Sequence, residues 1–249
     1  MSKLFDTPHA IRYVSHRGFQ PMAPANSLPG FAYAGLLGQW AIETDVRQTR
    51  DGVLVCCHDA AVESTFDGEG IIAEMTWAEL SRLRMNRGHR LDCLRDGEKR
   101  MPLFAEYLAI CKRYGSVPFI ELKSPDVGSV LAAVRAAGLT SDEVVISAIP
   151  LDWLLETRRQ DRDVFLHWIF AREERVGELV SAGNAGLSWD IPDAFACPRE
   201  KVDQTHALGL KICLRAGDTV ASVRRMEALG LDYIPSNCMH LPLKGVENP

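Results

Sequence analysis

The chain has 249 residues, 47% of them hydrophobic and 24% charged, with a formal net charge of −5. That length and balance suit one large domain or two small ones with a well-buried core. The negative charge argues against a surface built for nucleic acid or an anionic membrane, so an anionic substrate has to be drawn in by local charge. Seven cysteines, including the adjacent pair Cys56-Cys57, show neither CxxC spacing nor a disulfide framework, which points to a reducing compartment. Met1 to His16 has no apolar signal-peptide core, and no run approaches the roughly 18 apolar residues of a membrane helix. The chain therefore reads as cytoplasmic, without a membrane span, and the sequence is silent on oligomeric state.

In chain order, short β-branched runs alternate with longer helical patterns, the signature of a parallel α/β fold. Strands are predicted at Arg12 to His16, Ala41 to Val46, Val53 to His58, Phe119 to Lys123, Val144 to Ile149, Val164 to Phe170, Ala185 to Asp190, Leu210 to Leu214 and Tyr233 to Asn237. Helices are predicted at Ser27 to Leu37, Thr76 to Arg84, Phe104 to Tyr114, Gly128 to Ala137, Leu151 to Arg159, Glu173 to Ala182, Arg199 to Leu208 and Thr219 to Leu229. Asp218 or Thr219 is placed to cap the last helix, and Gly138, Gly183, Gly209 and Gly230 sit where helices end.

Thr49-Arg50-Asp51-Gly52 leaves no room for a crossover helix, so the second and third strands should be antiparallel. Setting that hairpin strand aside leaves eight strands in βα alternation, which over this length fits a (β/α)8 TIM barrel forming a single domain over residues 1–249. An open doubly wound sheet is the competing architecture, but no GxGxxG follows the first strand. The polar segment 60–100 breaks the alternation and reads as a small insertion or lid after the third strand.

Charge gathers at the C-terminal ends of these strands, where barrel enzymes carry their active sites. The first strand ends in His16-Arg17-Gly18, the second holds Glu43 and Asp45 on one face, the third ends in His58-Asp59, and the fourth carries Glu121 and Lys123. Singly, each has a plain structural reading: a hydrogen-bonded histidine, an ion pair. Together, three acids, two histidines and two cations at adjacent strand ends exceed what a core would bury for structure alone. Three hard carboxylates suit Mg²⁺ or Ca²⁺ rather than zinc. Arg17 and Lys123 offer what a phosphate needs, and His16 and His58 can divide proton work.

These residues carry a resemblance to the glycerophosphodiester phosphodiesterase family: His16-Arg17-Gly18, Glu43-Thr44-Asp45-Val46 followed by Thr49-Arg50-Asp51-Gly52, Val55-Cys56-Cys57-His58-Asp59, Met101-Pro102-Leu103 and Ile120-Glu121-Leu122-Lys123. The resemblance implies a (β/α)8 barrel that hydrolyses glycerophosphodiesters to glycerol phosphate and an alcohol. It implies metal ligation by Glu43, Asp45 and Glu121, an acid/base pair in His16 and His58, and phosphate contacts from Arg17 and Lys123. The small-molecule diester is then the partner and a divalent ion the cofactor.

The chain departs from the family pattern in three places. Pro24-Ala25-Asn26-Ser27 stands where the family has Pro-Glu-Asn-Thr. Arg215-Ala216-Gly217-Asp218 stands for Trp-Thr-Val-Asn, and Ser236-Asn237 for Thr-Asp. Arg215 could contact an anionic or sugar-like group, and Trp189 could stack on the substrate or simply pack at the rim. The other histidines, His9, His89, His167, His206 and His240, match no motif and default to surface or packed roles, and Arg158-Arg159 and Arg224-Arg225 read as solvated helix faces. Three alternatives stay open: a related barrel cutting a sugar or lipid phosphodiester through a cyclic phosphate, a non-catalytic diester-binding protein, and a Schiff-base enzyme using Lys123.

Overall fold

The computed structural model describes residues 3–6, 11–124 and 126–240; His9 lies outside them. Nine strands form one sheet: β1 (Tyr13–Ser15), β2 (Ala41–Gln48), β3 (Leu54–Cys56), β4 (Val117–Leu122), β5 (Val145–Ala148), β6 (Phe165–Ala171), β7 (Ala185–Trp189), β8 (Lys211–Cys213) and β9 (Ile234–Ser236). Eight of them run parallel in the order β8-β7-β6-β5-β4-β2-β1-β9. No ladder joins β8 to β9, but Asp232 N–H donates to Ile212 O (3.0 Å) and Gly217 N–H to Pro235 O (2.8 Å) across that seam. The result is a nearly closed (β/α)8 barrel, and the open-sheet alternative falls. β3 pairs antiparallel with β2, at Val46↔Cys56 and Gln48↔Leu54, and Val55 also bridges Leu103. The intervening turn is held by Gly52 N–H donating to Thr49 O (3.0 Å), as the short connection requires.

Side-chain alternation along the strands sorts the core into two layers. Val14, Ala41, Phe119, Val145, Phe165, Cys213 and Tyr233 fill the barrel interior and close its floor. Ile42, Ile120, Ile146, Leu166, Leu187 and Ile212 face outward onto the helices. Gly186 of β7 is required by this packing, because a Cβ there would lie 2.8 Å from the Tyr233 hydroxyl and 2.9 Å from Lys211 O.

The helices are α1 (Leu28–Leu36), α2 (Trp77–Leu80), α3 (Phe104–Tyr114), α4 (Val127–Ala136), α5 (Leu151–Gln160), α6 (Val176–Ala182), α7 (Arg199–Ala207) and α8 (Val220–Leu229). Ser27 caps α1, and Thr219 rather than Asp218 caps α8, accepting from Ser222 N–H at 3.1 Å. That leaves the Asp218 carboxylate free for other partners. The four terminal glycines adopt positive φ, as their places after helices demand.

Segment 60–100 departs most from a regular pattern. The predicted helix Thr76 to Arg84 shrinks to the single turn of α2, closed by a Thr76/Glu79 capping box. Val62, Phe66, Ile72, Leu80, Met85 and Met101 form a separate small core there with Val55 and Cys57 of the β3 region. Gly88 lies so close to Pro24 that a Cβ would meet the proline Cβ at 2.6 Å, so the insertion abuts the loop after β1. Arg158 also departs from its reading as a solvated helix residue. It is half-buried and donates to the carbonyls of Asp161, Arg162, Val164, Gly183 and Asn184, so it ties the end of α5 to the loops before β6 and β7.

Candidate active site

β2 and β4 pair in register, with Asp45 opposite Glu121 and Glu43 opposite Phe119. Because alternate residues face inward, Glu43, Asp45 and Glu121 converge at the C-terminal mouth of the barrel. All three are buried, and each offers a carboxylate oxygen within 4.8 Å of the others. Arg17 N–H donates to Glu43 Oε2 (2.8 Å), and Asn26 Nδ2 donates to Asp45 Oδ2 (2.7 Å). Lys123 Nζ donates to Glu121 Oε1 (2.5 Å) and lies 3.2 Å from Asp45 Oδ1, while Arg17 Nε lies 3.2 Å from Asp45 Oδ2. Glu43 Oε1 and Asp45 Oδ1 are buried without accepting a hydrogen bond among the described residues.

The backbone that delivers Arg17 is constrained. Arg17 sits at φ +57°, which turns its N–H onto Glu43. Gly18 follows at φ +84°, where a Cβ would meet the Gly30 carbonyl carbon at 2.8 Å. The His-Arg-Gly run thus has a geometric reason: only glycine lets the loop press against the first turn of α1. Asn26 is a second contributor whose role the sequence does not announce. Its Nδ2 holds Asp45, and its Oδ1 accepts from the Thr44 hydroxyl at 2.8 Å. With Ala25 in place of the family's acid, Asp45 itself provides the counter-charge for Arg17.

The electrostatics split the triad. Burial, followed by Asp45 and Glu121, pushes Glu43 well above the usual carboxylate range. Burial and Asp45 also raise Glu121, against the pull of Lys123. Burial pushes Asp45 the same way, but Arg17, Lys123 and the Asn26 hydrogen bond together outweigh it and hold Asp45 low. Three carboxylates thus share two fixed cations: Glu43 Oε1 accepts no hydrogen bond among the described residues, and Asp45 Oδ1 has the Lys123 ammonium 3.2 Å away in place of one. A hard divalent cation fits that donor set, supplying positive charge to the group of oxygens that burial makes costly to ionise.

Both predicted histidines line the same cavity, of about 330 Å³, together with Arg17, Glu43, Glu121 and Lys123. His16 Nδ1 faces Asn237 Oδ1 at 2.9 Å. Burial and Arg17 lower its pKa below the ordinary imidazole value, although the Asn237 contact opposes them. His58 Nδ1 faces Asp59 Oδ1 at 2.8 Å and is more open to solvent.

The far wall of the cavity comes from β5 to β8: Ser147, Ile149, His167, Phe170, Ser188 and Arg215. His167, read from sequence as an ordinary histidine, belongs to the cavity floor; its Nδ1 contacts the Tyr233 hydroxyl at 2.5 Å, and burial lowers its pKa to about 3. Arg215 does line the cavity, its guanidinium 5.4 Å from the Phe170 ring centroid, and no carboxylate pairs with it among the described residues. Trp189 does not line it. The indole is only 7% exposed, donates to Thr205 Oγ1 (3.0 Å) and carries Lys201 Nζ 3.7 Å above its ring. Its parity on β7, one position past the inward Ser188, points it into the helix layer, so the substrate-contact reading is corrected to packing.

The two departures at the last strands prove to be neighbours. Asn237 Nδ2 donates to Asp218 Oδ2 at 2.6 Å.

Fold and site together define a TIM-barrel protein with a buried acidic cluster at the barrel mouth beside two histidines, an arginine and a lysine. The model of the glycerophosphoryl diester phosphodiesterase family matches residues 16–136. Human glycerophosphodiester phosphodiesterase 1 is 30% identical over 184 residues, covering 72% of this chain and 54% of the human protein. Glycerophosphodiester phosphodiesterase from Caldanaerobacter subterraneus is 33% identical over 115 residues, 45% of this chain and 44% of that protein. The chain thus spans about half the length of these relatives. Among solved structures, the fold is shared with a phosphodiesterase from Oleispira antarctica, determined with the product sn-glycerol-3-phosphate, at TM-score 0.83 and 20% identity, covering 95% of this chain and 97% of that one. Glycerophosphodiester phosphodiesterase from Agrobacterium tumefaciens gives TM-score 0.76 at 24% identity, covering 92% and 97%. The chain belongs to the glycerophosphodiester phosphodiesterase family.

Proposed function

We propose that the protein hydrolyses glycerophosphodiesters to glycerol phosphate and an alcohol with a bound divalent cation. The observation that carries this reading is the buried triad Glu43, Asp45 and Glu121, two of whose members, Glu43 and Glu121, line one cavity with His16, His58, Arg17 and Lys123, and whose Glu43 Oε1 accepts no hydrogen bond among the described residues. Glu43, Asp45 and Glu121 would hold Mg²⁺ or Ca²⁺, which when bound supplies Lewis acidity toward a phosphoryl oxygen. Arg17 and Lys123 bind and orient the phosphate, adding positive charge where negative charge develops.

His16, kept neutral by burial and by Arg17, accepts the proton of the attacking oxygen at Nε2, because Nδ1 is engaged by Asn237. His58 donates a proton to the leaving alkoxide as the P–O bond breaks, its ring steadied by Asp59. Arg215 stands on the leaving-group side without a carboxylate partner among the described residues, so alcohols that are anionic or rich in hydroxyls fit better there than choline. The substrate is a small molecule rather than a nucleic acid. Seven free cysteines suit a reducing cytoplasm, and among the described residues no helix is long and apolar enough to cross a membrane.

The test is ³¹P NMR of purified protein with glycerophosphodiesters of choline, ethanolamine, glycerol, inositol and serine in the presence of Mg²⁺ or Ca²⁺. Conversion to glycerol phosphate supports the reading, and a transient cyclic phosphate resonance would identify a substrate hydroxyl as the nucleophile. Tight binding of these diesters without any conversion would contradict it.

A further inference from the structure

The loop after β8 and the end of β9 meet at the barrel seam, where the Asp218 carboxylate is saturated by one residue and its neighbour. Asn237 N–H donates to Oδ1 (2.7 Å), Ser236 Oγ donates to Oδ1 (2.9 Å), and Asn237 Nδ2 donates to Oδ2 (2.6 Å). A carboxylate only accepts, so the Asn237 amide has no choice of orientation: its NH₂ must face Asp218 and its oxygen must face away. That oxygen is aimed at His16 Nδ1 (2.9 Å) and at Gln20 Nε2 (2.6 Å), and Gln20 Nε2 also reaches His16 O at 3.0 Å. An amide oxygen likewise only accepts, so Nδ1 of His16 has to carry the hydrogen.

We propose that Asp218 and Asn237 form a positioning pair that sets the tautomer of His16, holding Nδ1 protonated and leaving the Nε2 lone pair for the cavity. Neither residue touches the reacting atoms in this scheme; each acts through the imidazole. The information passes in one direction, from a carboxylate that fixes an amide to an amide that fixes a ring, as outer partners orient catalytic and metal-bound histidines generally. The groups whose charge bears on His16 are Arg17, Asp45 and Asp218, and Asp218 does so across the intervening amide. Placing the amide rather than the carboxylate against the ring orients it without setting a full negative charge beside Nδ1.

The tautomer can be read without activity, by ¹⁵N NMR of histidine-labelled full-length protein, with the His16 signal assigned by its loss in His16→Ala. The wild type should show His16 with Nδ1 protonated and Nε2 bare. Asp218→Asn and Asn237→Asp each break the donor-acceptor order, the first by opposing two amides and the second by opposing two carboxylates. Each should abolish the tautomer preference and lower kcat by about 10- to 100-fold, the cost usual for losing such an outer partner, with KM moving far less. The double exchange Asp218→Asn with Asn237→Asp rebuilds every hydrogen bond and reverses only the side-chain bond between the two positions. It should recover the tautomer and most of kcat, and shift the acidic limb of the kcat profile to higher pH because a carboxylate now touches the ring.

A wild-type His16 protonated at Nε2 would overturn the proposal. So would single variants that lower Tm but keep the tautomer and kcat, since that outcome assigns the pair to the seam alone, or a double exchange no better than either single. The kinetic arm rests on His16 serving as proton acceptor in diester hydrolysis. Should no diester be turned over, that reading fails while the NMR arm still decides this one.

Discussion

The two halves of the barrel mouth differ in kind. From β1 to β4, a short stretch of sheet supplies Arg17, Glu43, Asp45, Glu121, Lys123 and both histidines, and nearly every polar atom there is held by another. From β5 to β8, the wall is Ser147, Ile149, His167, Phe170, Ser188 and Arg215, mostly small or apolar with one cation that no carboxylate pairs among the described residues. The family match ends at residue 136, between β4 and β5, along the same boundary. On the proposed reading the difference is a division of labour, in which the charged half would handle the phosphate and the proton and the other half would meet the departing alcohol.

The sharpest way to break that division is to remove a proton carrier from the charged half. His58→Ala should lower kcat by about 10² to 10⁴, the span general acid/base catalysis provides. Its Tm should hardly move, because the ring is partly exposed and its Nδ1 hydrogen bond is to the adjacent residue. A loss under threefold in steady-state assays would remove His58 from the chemistry.

A subtler cut separates stability from function within the triad. Glu43 is costly to ionise where it sits, so Glu43→Gln should leave the metal-free protein as stable as the wild type or more so, while abolishing any thermal stabilisation by Mg²⁺ or Ca²⁺. Differential scanning fluorimetry with and without the ion reads both outcomes at once. A variant that melts far below the wild type and keeps the ion-dependent shift would contradict the assignment.

On the apolar side, effects should fall on choice rather than speed. Arg215→Ala should reduce kcat/KM for an anionic diester such as glycerophosphoserine by about tenfold, the worth of roughly 1.4 kcal/mol of charge contact. Glycerophosphocholine should be unchanged or improved. Equal losses on both substrates would move Arg215 out of selectivity.

A last prediction concerns His167, where the effect falls on stability and leaves the chemistry of the mouth untouched. Burial lowers its folded pKa to about 3, far below the unfolded value, so the native state refuses a proton that the unfolded chain accepts. Its contribution is present in full above the unfolded pKa of about 6.5 and is lost as pH falls toward 3, with a slope of at most about 1.4 kcal/mol per pH unit. In urea melts between pH 7 and 4, His167→Gln should show a shallower decline than the wild type. Identical slopes would mean that the native state takes up the proton.

Legibility in the sequence followed the same line. In the charged half, two acids on one face of an apolar strand are costly unless they serve a site, so Glu43, Asp45 and Glu121 announced themselves, and alternation correctly gave all nine strands. Where chemistry depends on backbone course, the sequence was mute. Asn26 supports Asp45 only because the chain turns left-handed there, at φ +51°. Asp218 and Asn237 lie 19 positions apart and meet only at the barrel seam. Trp189 misled because an aromatic at a strand end reads the same whether it faces the mouth or the helices, and one residue of parity decides.

Metal removal and return tests the central claim, that the charged half is a cation-assisted phosphodiester site, most directly. Purified protein freed of metal with EDTA and assayed on a glycerophosphodiester should lose its turnover and regain it on addition of Mg²⁺ or Ca²⁺, with Asp45→Asn failing to respond. Full turnover in the chelated wild type, or restoration by the ion in Asp45→Asn, would contradict the account.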